Sequence, residues 1–182
     1  LFDSAIERTK ATSDQIWGVG AYVGRAGRLT LDSSTVDSSQ EAHILAEGTG
    51  TRVVARNGTE LRGTVRSVRY TVSPGIVVQN DATFVADGLV VAESAGPGLL
   101  VTGTASAFIT DSVFESNSFA GIAVAGGSLD LSGGSVADTS ADDNLGGGVG
   151  MFVADLTSSS STMTIDGATI DNNIYGGVWV QD

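Results

Sequence analysis

The stretch NSFAGIAV, Asn117 to Val124, sets an asparagine four residues ahead of a glycine that opens a run with apolar side chains at alternate positions. The arrangement returns near the end of the chain as NIYGGVWV, Asn173 to Val180, and between the two as NLGGGVGM, Asn144 to Met151. From Gly98 the landmarks Ala107, Ile109, Phe114 and Asn117 lead to Gly121, an interval of 23 residues. From Gly75 the same offsets fall on Phe84, Ala86, Val91, Ser94 and Gly98, again 23. A third copy runs from Gly20 through Leu29, Leu31, Val36 and Ser39 to His43, where histidine replaces the glycine. Self-similarity at a fixed short period marks a repeat architecture.

The other copies need insertions. One lies between Val136 and Asn144, ahead of a glycine placed at Gly148; one is the LTSSSST run before Met163; and one is placed near Asn57 to Gly63, in a 32-residue copy ending Val68, Thr71, Gly75. Apolar residues within each copy alternate, as in strands, and no segment keeps a 3.6-residue period for three turns. Twenty-three residues are too few for a helix and a strand with their connections, so each copy reads as three short strands bounded by Gly, Asp, Ser or Asn. One such coil cannot bury its inward side chains; stacked coils pair each strand in parallel with those above and below. A position fixed in the turn is filled by Ser39, Thr71, Ser94, Asn117, Asn144 and Asn173. Small hydrogen-bonding side chains there are expected to stack as a structural ladder, since such residues tolerate a left-handed turn and bond neighbouring backbone.

With its recurring G-φ-x-V, φ-x-φ and φ-x-x-[NST]-x-x-x-G elements (φ apolar), the chain resembles right-handed parallel β-helix proteins of the pectate-lyase-like superfamily, specifically secreted members without catalytic machinery. The resemblance covers residues 18–182 and implies an all-β, single-stranded, right-handed parallel β-helix. Residues 1–17, with Ile6, Ile16 and Trp17 as apolar anchors, are expected to cap or link the solenoid. The last coil is expected to be cut short, and a targeting segment to have been removed from the other end.

Charge narrows the function. All nine Lys and Arg lie within the first 69 residues beside eight acids, while residues 70–182 hold the other thirteen acids of the chain and no base. Such a surface repels phosphate backbones and anionic lipid, which speaks against nucleic acid. No apolar run approaches the length of a membrane-inserted helix. The chain has no cysteine, so disulfides and thiolate metal sites are excluded.

A lyase of the resembled superfamily implies acidic calcium ligands on a strand face, a basic catalyst and a cationic groove, which the acidic half does not supply. A hydrolase implies paired aspartates with a histidine, and here the DD pair, Asp142 and Asp143, stands four coils from the sole histidine, His43. At about 4.8 Å per coil they are roughly 20 Å apart. His43 is therefore read as a turn residue bonded to backbone. The insertion ADTSADDNLGG offers Asp138, Asp142 and Asp143 as oxygen ligands of the kind calcium takes, without the spacing of an EF-hand. No other cofactor is implied.

Phe84, Phe114 and Phe152 fall at inward slots, whereas Tyr22, Phe119, Tyr175 and Trp179 fall beside turns or at outward ones. Exposed rings on a flank form a platform for a sugar, which makes Trp179 and Tyr175 the candidate binding residues. Two functions remain. One is a structural or adhesive module of a larger extracellular or cell-surface protein, contacting glycan or protein along its flank; the other is a polysaccharide-active enzyme, glycoside hydrolase or lyase, on the same fold.

Overall fold

A computed structural model describes residues 1–10, 18–66, 72–156 and 158–181. Its strands are β1 (Ala5–Glu7), then β2 (Val19–Val23), β3 (Arg28–Asp32) and β4 (Thr35–Asp37), followed by β5 (Ala42–Glu47), β6 (Arg52–Arg56) and β7 (Glu60–Arg62). The next two coils are β8 (Ile76–Gln79), β9 (Thr83–Asp87), β10 (Val90–Ala92), and β11 (Leu99–Thr102), β12 (Ser106–Thr110), β13 (Val113–Glu115). The last are β14 (Ala120–Ala125), β15 (Ser128–Ser132), β16 (Ser135–Ala137), then β17 (Val149–Ala154), β18 (Thr162–Asp166), β19 (Thr169–Asp171) and finally β20 (Gly176–Gln181).

Every third strand joins the same sheet. Sheet I runs β2-β5-β8-β11-β14-β17-β20, sheet II β3-β6-β9-β12-β15-β18, and sheet III β1-β4-β7-β10-β13-β16-β19. All ladders between these strands are parallel, which makes the chain an all-β parallel β-helix. The first strand lies inside the segment expected to be a cap: Ile6 pairs with Val36 and packs against the core, so residues 5–7 are a rung of sheet III. Ile16 and Trp17 lie outside the described residues.

The core is a set of vertical columns. On sheet I Ile44, Ile76, Leu99, Ile122 and Met151 stack in register, and on sheet III Val36, Leu61, Val91, Phe114 and Val136 do the same. On sheet II the large Phe84 stands between Val53 and Ala107, so large and small side chains complement each other along the axis. On the last rung the inward-facing Ile165, Val178 and Val180 are exposed.

The bend between sheets III and I follows one rule. From β4 onward the residue after each sheet III strand has positive φ, at Ser38, Gly63, Glu93, Ser116, Asp138 and Asn172, and the next residue turns inward. These inward residues are Ser39, Thr64, Ser94, Asn117, Thr139 and Asn173. One expected ladder position is thereby corrected: Thr139 stands where Asn144 was expected. Thr71 lies outside the described residues, and Thr64 stands in the bend after β7. Asn144 sits in the protruding loop, because the insertion follows the bend instead of preceding it. The extra length of the 32-residue copy likewise falls mainly after Thr64, not in 57–63.

Candidate functional site

Asn117 shows what the ladder does. Its Oδ1 accepts from the Ser94 amide at 3.0 Å and its Nδ2 donates to the Val91 carbonyl at 3.1 Å, both on the preceding coil. Asn173 repeats this on Thr139 N–H (3.1 Å) and Val136 O (3.2 Å). Thr64 accepts from Ala95 N–H at 2.9 Å and donates to Ser73 O at 2.6 Å. Ser94 Oγ and Thr139 Oγ1 are buried without a partner. The ladder is scaffold, with no exposed group to offer a ligand.

The glycine that opens each sheet I strand faces this ladder. A Cβ on Gly98 would lie 2.7 Å from Gly121 O and 2.8 Å from Asn117 Nδ2, closer than carbon tolerates. In the sixth coil Gly150, not Gly148, holds this place, since Gly150 falls opposite Gly121 and Gly177 in register. His43 occupies it in the second coil, where it is fully buried. Its Nδ1 lies 3.2 Å from Ser39 Oγ, not on backbone as expected, and its Nε2 is buried without a partner. Burial pushes the imidazole down to about 4, against an upward pull from Asp37. Sealed inside the solenoid, the ring has no face for a substrate.

The acidic insertion is internally committed. Asp142 is buried; one carboxylate oxygen accepts from the Asn144 amide at 2.8 Å and the Leu145 amide at 3.0 Å, and the other pairs with Arg66. Asp138 pairs with Asn172, and Asp143 is exposed. Among the described residues no three His, Cys, Asp or Glu side chains gather as a metal site. Arg66 and Arg62, the latter 3.6 Å from Glu115, reach from the basic part of the chain to acids of the other half, so those carboxylates are not all unopposed.

The outward face of sheet I is unlike the other two. Its central column is Tyr22, Leu45, Val77, Leu100, Ala123, Phe152 and Trp179, in register over seven rungs and without a charged member. Phe152 therefore points outward, a correction that follows from Gly150 opening the strand: Met151 and Val153 take the inward slots. Phe152 meets Phe119 edge-on at 5.6 Å and Trp179 at 6.4 Å between ring centroids. Phe119 and Phe152 cover Ala120, Ala123 and Val149 as a small second core on the outside of the sheet. Trp179 is 52% exposed and Tyr175 67%, so both candidate binding residues face solvent at the same end of this column.

A further feature had no signal in the sequence. Thr104, Ser128, Ser158, Ser159 and Thr162 line a shallow hollow of about 370 Å³ between sheets I and II. It exists because Leu156 and Ser159 lie over Gly126, whose amide donates to Ser161 Oγ at 2.7 Å.

No curated protein and no solved structure matches the chain. A family model described as the right handed beta helix region matches residues 53–182, most of the chain and every coil from β6 onward. Parallel stacking, a polar ladder inside each bend and this match lead to one conclusion: the chain belongs to the right-handed β-helix family.

Proposed function

We propose that this β-helix is a structural and adhesive module of a larger secreted or cell-surface protein, a stiff spacer that holds a neutral glycan along the outer face of sheet I. The observation that carries the reading is the seven-rung outward column with no charged member, ending at Phe152, Trp179 and Tyr175. Uncharged rings offer a sugar a flat apolar surface without a desolvation cost for buried charge. The acidic remainder of the surface disfavours polyanionic partners. Buried His43 supports the non-enzymatic reading over a hydrolase.

The test is retention on insoluble neutral polysaccharides. The wild-type module should sediment with at least one of cellulose, chitin or a β-glucan, and Trp179→Ala with Tyr175→Ala should abolish this without changing the unfolding midpoint. Equal retention of the variant would reject the face, and no retention on any polysaccharide would shift the reading to a protein partner.

A further inference from the structure

The arginines within the described strands of this acidic molecule are, with one exception, placed against acids. Arg56 lies in register between Asp32 and Asp87 and bonds Asp32 at 2.8 Å. Arg62 lies opposite Asp37 and pairs with Glu60 at 3.1 Å. The exception is on the first two rungs of sheet II, where Arg28 of β3 stands directly opposite Arg52 of β6. Both are exposed, and neither makes an ion pair among the described residues. Their next register neighbour is Thr83, and their neighbours on the same face are Thr30 and Val54. Arg25, also exposed, sits in the turn leading into β3. Asp81, on the turn before Thr83, is already held by Thr49 at 3.0 Å and by Thr104 at 2.5 Å.

Like charges directly opposite each other on adjacent strands destabilise a sheet. Arg56, on the same sheet, has an aspartate on either side in register, whereas Arg28 and Arg52 have none. Two guanidinium forks one rung apart, about 4.8 Å, can close on a single anionic centre from two sides, each donating a pair of parallel N–H bonds. A planar carboxylate presents one edge to one fork. A tetrahedral oxyanion presents a separate edge to each.

We infer that Arg28 and Arg52 form a binding site for a divalent tetrahedral oxyanion, a sulfate or phosphate group, on a face separate from the apolar column of sheet I. Binding relieves the repulsion between the two cations, so occupancy stabilises the fold.

The experiment measures the thermal midpoint of the whole chain while sodium chloride is replaced by sodium sulfate at constant ionic strength, with parallel series in inorganic phosphate and in acetate. The midpoint should rise and saturate in sulfate or phosphate, and acetate should need at least a tenfold higher concentration for the same rise. Arg28→Gln with Arg52→Gln should remove the saturable rise, and Arg56→Gln should keep it. Because the double variant also removes the like-charge pair, its midpoint in chloride at low salt should be no lower than wild type, so loss of response cannot be a loss of folding. A rise of equal size in the double variant, a rise linear in sulfate without saturation, or an acetate response equal to that of sulfate would each overturn the proposal.

Discussion

Acidification should loosen this solenoid through one residue. His43 is buried beside Ser39 with its Nε2 unpartnered, and burial holds its imidazole near pH 4 where the free side chain titrates near 6.5. Between those values the unfolded chain takes up a proton that the folded chain refuses, so stability rises with pH across the window and is complete above it. At about 1.36 kcal/mol per pH unit, the shift corresponds to about 3 kcal/mol lost by pH 4, of which about 2 kcal/mol is already lost at pH 5. The carboxylates of Asp32 and Asp81 are lowered by Asn57 and by Thr104 respectively, so the stability they add is complete above the ordinary Asp value and is lost as pH falls from there through their lowered ones. The interval from pH 6.5 to 5 therefore isolates His43. Urea unfolding of wild type and His43→Asn across it should show a decline of about 2 kcal/mol in the first and a flat profile in the second. Parallel profiles would refute the argument, as would an imidazole titration by NMR in the folded protein with its midpoint near 6.5.

Asn117→Ala should cost about 1–3 kcal/mol in urea unfolding, because the Ser94 amide and the Val91 carbonyl lose their partner inside the bend. Thr139→Val removes a buried hydroxyl without a partner and should raise stability by about 1 kcal/mol by the same measurement. Gly98→Ala should cost about 1–3 kcal/mol or more, since the new carbon meets backbone that cannot move aside; an unchanged midpoint would show that the slot is roomier than its geometry. Calcium up to millimolar concentrations should leave the thermal midpoint of wild type unchanged, because Asp142 is committed to Arg66 and to two turn amides.

The repeat was legible wherever a coil had no insertion. In the copies from Gly20, Gly75 and Gly98 every inward residue fell where the offsets put it, because alternation and the strand-opening glycine are imposed by the same close stacking. Reading failed where a loop intervened. NLGGGVGM offers Gly146, Gly147, Gly148 and Gly150, and only packing distinguishes the last: the Gly150 Cβ would strike Ile170, while the φ of +70° to +93° at the others marks them as loop glycines. An offset taken from Gly148 instead of Gly150 puts Asn144 in the ladder, two residues out of step with the register. The bend is fixed from the other side, three residues after the inward residue of each sheet III strand, and counting forward from Leu61 and Val136 reaches Thr64 and Thr139. Side-chain commitments such as Asp142 with Arg66 join residues 76 apart, and no local pattern announces a contact of that range.

That contact changes how the coils come apart. In a solenoid each coil touches only its neighbours, so melting can begin at an end and advance one coil at a time. Arg66 follows β7 and Asp142 follows β16, three rungs higher, a span of about 14 Å along the axis. A pair that reaches past two intervening coils acts as a staple on the outside of the stack: none of the bridged coils can separate until the ion pair and the Asp142 turn give way. The unit of unfolding in the middle of the molecule is then a block of four coils, and the coils beyond it at either end are free to fray alone.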